Sequence, residues 1–563
     1  PPRSTLFPYT TLFRSTMLPA RFIENNKVEN LTDVSAFIPN FFMPDYGSKL
    51  TSPVYIRGVG NRINTPSVGL YVDDIPYFEK SAFNFDFFDV ERIEVLRGPQ
   101  GTLYGRNAMG GLINVITSSP QPERHTTLSV DYGNYNQIRT AISHNQPIGE
   151  KFALLANFHQ THNDGFYTNM YNNSQVDKLN SYSGRLKLNY NVSEKFKASA
   201  NVQYENSKQG GYPYALYTDS TNTAADINYN DESIYNRQLL SSGLNLNYSA
   251  PGYQIRAVTS YQYIEDRQEI DQDFTPKSLF FVTQDQLLNM IAQEINIQSN
   301  ENKTYDWLFG VFGFKQILDK EVTVNYGPDG IKQYKLPYSQ YYYTKWYDNT
   351  NSGVALFHES TLKFGGFAVT AGIRADYEKA TLDYVYDKFP NGKQTNVESA
   401  VSQQEYFEIL PKIAFKYSIN EYLVPYATVA KGYNSGGFNA TFEREEDRTF
   451  KPEDSWNYEA GIKAKWLQQR VYANLAVFYI DWNNQQIYQT VPSGTGSMLT
   501  NAGKSESKGV EFEIKALPAK NFEIWLATGY NEAIFVEYVK DNKTDYSGNY
   551  LPYVPRFSVS TGA

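Results

Sequence analysis

One stretch near the start of the sequence combines residue types that can bind anions. EVLRGPQGTLYGRNAMGG, from Glu94 to Gly111, contains five glycines and two arginines. Glycine-rich turns expose backbone N–H groups that bind phosphate, but a phosphate-binding loop has four residues between two glycines and then Lys-Ser or Lys-Thr. Here Gly101 and Gly105 enclose three residues and Arg106 follows. The spacing therefore excludes that loop and predicts tight turns between short strands.

Candidate metal ligands are few. The chain has no cysteine and five histidines. His159 and His162 are three positions apart, which on a strand places them on opposite faces, so we interpret both as polar residues of a strand end or loop. Asp73 and Asp74 precede Ile-Pro and favour a β-turn over a cation site. We predict no metal site and no cofactor. An outer-membrane protease or lipase is the alternative from a different class. Ser and Asp are plentiful in the polar stretches, so chance constellations are expected there, but histidine is scarce.

The composition narrows the class of protein. A net charge of -9 and a pI near 5.3 argue against a nucleic-acid partner, because phosphate binding needs a basic surface. The 47 tyrosines and 35 phenylalanines accompany a mean hydropathy of -0.52. Tyrosine in such numbers is typical of membrane-interface girdles or carbohydrate-like binding surfaces, because its ring is apolar and its hydroxyl polar. No apolar run is long enough for a transmembrane helix.

The elements that must position these residues are strands. From about residue 125, polar and apolar residues alternate over segments of roughly ten residues, the length of a tilted strand that crosses a bilayer. In GRLKLNYNVS, for example, Leu186 and Leu188 face one way and Lys187 the other. About eighteen such segments predict a large membrane β-barrel. Residues 21–120 lack the alternation and predict a compact α+β unit that fills its interior. A soluble sandwich or propeller is disfavoured, because the chain shows no regular blade period.

Five motifs occur in order along the chain: YIRGVG, SVGLYVDDIP, FDVERIEVLRGPQGTLYGRNAMGGLINVIT, KPEDSWNYEAGIKAKW and NAGKSESKGVEFEIKALP. Together they resemble the TonB-dependent outer-membrane receptors, most closely the iron-complex (siderophore) branch. The resemblance implies an all-β membrane fold, a 22-stranded antiparallel transmembrane barrel with an N-terminal α+β plug domain in its lumen. We expect a non-native or disordered lead over residues 1–20, the plug over 21–122 and the barrel over 123–563.

Both ends of the chain depart from the family pattern. No signal peptide or TonB-binding motif precedes the plug, and PPRSTLFPYTTLFRS resembles a translated sequencing adapter. The sequence stops at RFSVSTGA, where the family continues to a terminal aromatic strand. We therefore expect the barrel to lack about four C-terminal strands, to leave two open edges and not to close.

The resemblance implies a function and a set of partners. The expected function is TonB-dependent import of a ferric siderophore or similar iron complex across the bacterial outer membrane, and not an enzyme activity. Import of another bulky nutrient, an oligosaccharide or cobalamin, is the alternative. Haem is disfavoured, because the plug contains no histidine. We expect a monomer in outer-membrane lipid that works with the TonB–ExbB–ExbD complex.

The resemblance also assigns roles to particular residues. In these receptors the ligand meets two outward connections of the plug, here Asn61, Arg62 and Asn64 in one and Tyr77 and Phe78 in the other.

A latch between plug and barrel is the second expected feature. The family holds plug arginines, here Arg57 and Arg97, against inward-facing barrel glutamates, here Glu459 and Glu511. Parity agrees, because each glutamate is out of phase with its apolar neighbours.

Overall fold

The computed structural model describes residues 15–62, 65–439, 441–491, 497–541 and 544–563. An N-terminal unit of mixed helix and strand is followed by a long run of antiparallel strands that surrounds it. This architecture confirms the predicted plug and large antiparallel sheet.

The plug contains a five-stranded mixed sheet. Its strands, in sheet order, are Ser15–Pro19, Val90–Arg97, Gly111–Thr117, Val68–Val72 and Ile75–Tyr77. A second, two-stranded sheet joins Phe41–Phe42 to Tyr55–Ile56. The helices are short: Ala20–Asn25, Leu31–Val34, Gly101–Tyr104 and the 3-10 turn Lys80–Ala82. No helix in the described parts of the chain is long and apolar enough to cross a membrane.

The beginning of the plug differs from expectation. Residues 15–19, assigned above to a non-native or disordered lead, form the edge strand of the plug sheet and pair in antiparallel register with Val90–Arg97. Edge pairing uses backbone N–H and C=O groups, so it leaves little trace in side-chain pattern. The preceding part of the expected lead, residues 1–14, lies outside the described residues.

The surrounding sheet has nineteen strand segments among the described residues. Two of them, Thr395–Ile409 and Lys412–Tyr417, pair with the same neighbour and count as one strand interrupted at Leu410-Pro411, which gives eighteen strands. The other segments are His125–Gly133, Gln137–Ile148, Phe152–Asn163, Leu179–Asn191, Phe196–Gly211, Ser233–Ser249, Tyr253–Asp271, Phe280–Ser299, Tyr305–Tyr326, Tyr341–Phe364, Phe367–Pro390, Leu423–Asn434, Glu453–Trp466, Val471–Thr490, Ser497–Ala519, Phe522–Glu537 and Phe557–Gly562.

Short turns alternate with long connections. The long connections carry the helix Pro328–Gln333, the 3-10 turn Glu445–Arg448 and four small hairpins. Those hairpins are Thr168–Asn169 with Ser174–Gln175, Tyr217–Thr218 with Thr223–Ala224, Gly437–Phe438 with Thr449–Phe450, and Val539–Asp541 with Thr544–Asp545.

The predicted alternation sorts side chains between the two faces. Leu186 is 48% exposed on the outside, whereas Lys187 beside it is buried in the lumen. The same holds where the latch glutamates lie: Tyr458 is exposed and Glu459 buried, and Val510 is exposed and Glu511 buried.

The sheet order closes into a ring, with the last strand beside the first. The expectation of two open edges is therefore wrong; eighteen strands lie within the range of closed membrane barrels. We call the junction between Phe557–Gly562 and His125–Gly133 the seam. Every side chain from His125 to Tyr132 is exposed, whether it points outward or into the lumen, so the seam is the least buried part of the ring.

Glycines let the plug approach the wall. At Gly101 an added Cβ would lie 3.1 Å from the backbone oxygen of Lys431 in the wall. Gly98, which follows Arg97, has φ +79°, a conformation that side chains disfavour. The glycine-rich stretch therefore serves packing and turns.

Candidate plug latch and ligand-facing site

The first arginine of the latch sits in a tight hairpin turn. Arg57 and Gly58 have φ of +53° and +80°, and Ile56 and Val59 exchange both backbone hydrogen bonds across them. Positive φ at both central positions is typical of a type I′ hairpin turn, which suits glycine and strains arginine. The turn aims the Arg57 side chain at the barrel wall.

Two barrel carboxylates hold the Arg57 guanidinium. Nη1 donates to Glu459 Oε2 at 2.6 Å, and Nε and Nη2 donate to the two oxygens of Glu511 at 2.9 and 2.7 Å. The guanidinium also lies 4.3 Å from the centre of the Phe478 ring. All three charged side chains are at most 1% exposed. Burial opposes the charge of Arg57, but the two carboxylates outweigh it and raise the pKa of Arg57 above its ordinary value.

Arg97 extends the same cluster. Its Nη1 lies 3.2 Å from Glu511 Oε2 and its Nη2 lies 2.8 Å from Glu513 Oε1. The structure thus brings together all four residues expected to form a latch and adds a third glutamate. Asn40 Nδ2 donates to Glu511 at 3.1 Å, and Tyr426 donates to Glu459 at 2.8 Å.

Sequence reasoning missed Glu513, although its parity matches that of Glu511. Thr16 of the plug's edge strand donates to Glu513 Oε1 at 2.7 Å. The edge strand and Arg97 therefore share one barrel carboxylate.

Further charged contacts tie the plug to other parts of the wall. Asp73 and Asp74 have positive φ and form the predicted turn. The Asp73 carboxylate pairs with Lys187 at 2.9 Å, and the Asp74 carboxylate pairs with Arg256. Arg106 of the glycine-rich stretch lies 3.2 Å from Glu378. The two residues of each pair are 114 or more positions apart in the chain, so no local pattern could have found them.

Arg62 occupies a different environment from the arginines of the latch. Its side chain is exposed, and within the described residues it forms no ion pair. The guanidinium lies 4.8 Å from the centre of the Tyr46 ring. Tyr553, from a long connection of the barrel, packs against Tyr46 and Tyr55 with ring centres 5.9 and 6.2 Å apart.

A second long connection completes this aromatic surround, because Tyr214 donates its hydroxyl to the backbone oxygen of Tyr46 at 2.7 Å. Burial raises the pKa of Tyr46, Tyr55 and Tyr214. The phenols therefore stay neutral, and Arg62 supplies the positive charge. Sequence reasoning missed these tyrosines, because they come from segments far apart in a chain that is rich in tyrosine.

Of the other residues expected to face a ligand, Asn61, Tyr77 and Phe78 are buried. Asn61 is buried, and its amide donates to Glu453 Oε1 at 3.1 Å. Tyr77 and Phe78 do not reach the surface below the long connections: Tyr77 packs on Phe85, and Phe78 packs on Phe314. Both rings therefore pack against other aromatic rings, one inside the plug and one on the wall, and are not available to a ligand. Asn64 lies outside the described residues.

Candidate metal ligands remain scattered. Among the described residues, no three His, Asp or Glu side chains form a group that could hold a metal ion. His159 and His162 do fall on opposite faces. His159 is buried and stacks on Phe88 of the plug at 5.3 Å, a packing role that the sequence did not indicate.

A ring of antiparallel strands around a plug fixed by buried ion pairs defines a plugged-barrel receptor. The chain belongs to the TonB-dependent receptor family: residues 209–563 match the family described as TonB dependent receptor-like, beta-barrel, and residues 9–112 match the TonB-dependent Receptor Plug Domain.

Named relatives agree with this assignment. The pesticin receptor of Yersinia pestis is 24% identical over 558 residues, which covers 97% of this chain and 78% of the relative. The crystal structure of the ferric yersiniabactin uptake receptor FyuA from Yersinia pestis has a TM-score of 0.83 at 22% identity and covers 98% of this chain and 82% of its own. The catecholate siderophore receptor Fiu of Escherichia coli K12 is 31% identical over 156 residues, 27% of this chain and 20% of that protein.

Proposed function

We propose that this protein imports a ferric siderophore or a similar iron complex across the bacterial outer membrane, driven by the TonB–ExbB–ExbD complex. Membership of the TonB-dependent receptor family supports the energy source, and two of the relatives carry names that refer to siderophores or their iron complexes. The lipid-facing side of the ring supports the location, since aromatic pairs such as the exposed Phe152 with the half-buried Tyr190 suit a membrane interface. We expect the receptor to act as a monomer.

The observation that carries the ligand class is Arg62 among tyrosine rings. Ferric chelates of this kind present anionic oxygens and often aromatic rings. A guanidinium with no competing carboxylate suits such oxygens, and the rings of Tyr46 and Tyr553 supply stacking faces. Arg62 lies where long connections of the barrel, which face outward in this class of barrel, meet the plug.

The ion-pair cluster supports the second half of the proposal. Arg57 and Arg97 hold the plug against the wall through Glu459, Glu511 and Glu513. Import requires these contacts to break, so the cluster acts as a latch that stays shut until force reaches the plug.

Uptake of labelled iron tests the proposal. In an iron-starved host without its own siderophore receptors, ferric yersiniabactin and ferric citrate serve as probes, with cyanocobalamin and an oligosaccharide as competitors. We expect TonB-dependent uptake of an iron complex, which Arg62→Ala lowers about tenfold or more. Arg267→Ala, which removes an exposed arginine with its own acidic partners, is the matched control.

Equal iron uptake with and without the receptor, across a wider set of ferric chelates, would overturn the proposal. Transport of cyanocobalamin or of the oligosaccharide in its place would favour the alternative nutrient.

A further inference from the structure

The segment from Arg57 to Arg62 is attached to the barrel wall at both ends. Arg57 Nη1 contacts Glu459 at 2.6 Å, and Asn61 Nδ2 contacts Glu453 at 3.1 Å. Glu453 and Glu459 lie on the same strand, Glu453–Trp466, and both point into the lumen. One wall strand therefore holds both the latch arginine and the residue next to the ligand-facing arginine.

Glu453 is a buried carboxylate surrounded by neutral donors. Besides Asn61 it accepts hydrogen bonds from Asn434 Nδ2 at 3.2 Å, Trp482 Nε1 at 3.2 Å and the backbone N–H of Gln486 at 2.8 Å. No lysine or arginine among the described residues forms an ion pair with it. A buried charge held only by hydrogen bonds is sensitive to the loss of any one of them.

The plug side of this contact is equally fixed. Lys80 Nζ donates to the backbone oxygen of Asn61. Asn61 is therefore bound through its backbone to the plug and through its side-chain amide to Glu453 of the wall. Thr65, beyond Arg62, donates to Asn434 Oδ1 at 3.1 Å. The stretch that carries Arg62 is therefore docked on the wall on both sides.

The middle of the segment has no room to bend. Val59 is fully buried in a cluster with Phe478, Ile480 and Trp482. Phe478 also contacts Arg57, and Trp482 also contacts Glu453. An added Cβ at Gly60 would lie 2.4 Å from the backbone oxygen of Val54. A movement at one end must therefore displace the other.

We propose that Arg57–Arg62 is a coupling segment, in which the Asn61–Glu453 contact at the ligand-facing end and the Arg57–Glu459 contact at the latch strengthen each other. Asn61 and Glu453 are positioning residues, which act through Arg57. If Arg62 binds the chelate, as proposed above, a pull on Arg62 loosens the latch, and the plug is released more easily when loaded. The coupling itself exists without ligand.

Thiol labelling measures the coupling, because the chain has no cysteine. Ala533→Cys places a reporter on the wall under Gly58, and Ala292→Cys places one on the opposite wall; both alanines are 2–3% exposed beneath the plug. The purified receptor without ligand is treated with a maleimide. Glu453→Gln, Glu459→Gln and the double variant are compared in each reporter background.

We expect each single variant to raise labelling at position 533 about tenfold and the double variant little further, far below the product of the two. Labelling at position 292 should change much less. Asn61→Ala, which leaves the wall intact, should reproduce the effect of Glu453→Gln.

Glu378→Gln provides the matched control, because it breaks the contact of Arg106 with another part of the wall. Combined with Glu459→Gln, it should act independently. The proposal is overturned if Glu453→Gln and Glu459→Gln multiply, or if both reporters respond alike, as general loosening of the plug would produce. Since no ligand is present, either result leaves the iron-uptake experiment to decide the proposed function separately.

Discussion

At the scale of single residues, the balance of charge around Arg57 and Arg97 decides how firmly the plug is held. Two arginines face three glutamates, and Glu511 is the one that both arginines share. Loss of a partner from a buried pair typically costs about 3–5 kcal/mol, because the remaining charge is stranded.

Glu511→Gln should therefore loosen the plug more than Glu459→Gln, and the double variant should exceed either. The expected result is faster cleavage of the plug by added protease and greater entry of bulky antibiotics. Gln489→Glu, higher on the same wall, serves as a control for altered charge. Equal protection of the plug in all of these variants would show that the cluster does not act as a latch.

Lys80 makes the docking of the plug sensitive to pH. Burial lowers its pKa from 10.5 to about 7, although Glu79 and Glu453 partly counteract the shift. Between pH 7 and about 10.5 the unfolded chain holds a proton here that the docked plug lacks, so docking strengthens as pH rises through this window. Below pH 7 the lysine is charged in both states, and the penalty is constant.

Lys80→Met should remove this pH dependence. At pH 6 it should also strengthen docking, because burying the lysine charge costs more than losing its hydrogen bond to Asn61. Each pKa unit corresponds to about 1.4 kcal/mol. Urea-induced release of the plug at pH 6, 8 and 9.5 measures the effect. An unchanged pH slope in Lys80→Met would refute the assignment to Lys80.

The resemblance to the receptor family indicated which four residues meet in the latch, and strand parity, a local property of the sequence, agreed for both glutamates. They could not predict Glu513 or Asn40, whose contacts depend on the depth at which the plug sits. The burial of Tyr77 and Phe78 was not predicted for the same reason. Aromatic rings next to a turn suit a ligand or a core equally well, and only the position of Phe314 and Phe85 decides between them.

At the scale of elements, the hairpin turn at Arg57-Gly58 is the most constrained part of the plug. An added Cβ at Gly58 would meet Ala533 at 2.9 Å, in addition to the strain of φ +80°. Gly149 has a similar φ of +63°, but nothing lies near its missing Cβ. An alanine at Gly149 would therefore suffer backbone strain alone, whereas an alanine at Gly58 would suffer backbone strain and a steric clash with Ala533.

Gly58→Ala should release the plug at clearly lower urea concentration than Gly149→Ala, which carries about 1 kcal/mol of backbone strain. We expect the difference to be about 1–3 kcal/mol, the usual cost of overpacking. Protease sensitivity of the plug follows the same order. Indistinguishable unfolding curves for the two variants would mean that the wall yields at Ala533.

At the scale of the whole molecule, the alternation of the sequence predicted the number of wall strands and the face to which each side chain points. It did not predict closure, since closure depends on tilt and on how the first and last strands meet, which no local pattern encodes. The edge strand Ser15–Pro19 was missed for a related reason, because its partner strand is 73 or more residues away.

The seam of the ring is where the barrel should open first. His125–Gly133 pairs along its length with Gln137–Ile148, and its side chains are exposed on both faces. On the other side lies Phe557–Gly562, a strand of six residues, so few hydrogen bonds can join the two ends of the sheet. Backbone groups at such an edge exchange hydrogen readily, because little must be broken to expose them.

Hydrogen exchange in detergent should therefore be fastest, among the wall strands, in His125–Gly133 and Phe557–Gly562. It should be slowest in strands such as Tyr341–Phe364, whose 24 residues pair on both sides. Unheated protein should also run faster on a gel than heated protein, as a closed ring does. If the seam strands exchange as slowly as Tyr341–Phe364, the ring has no weak point and the plug, not the seam, limits its opening.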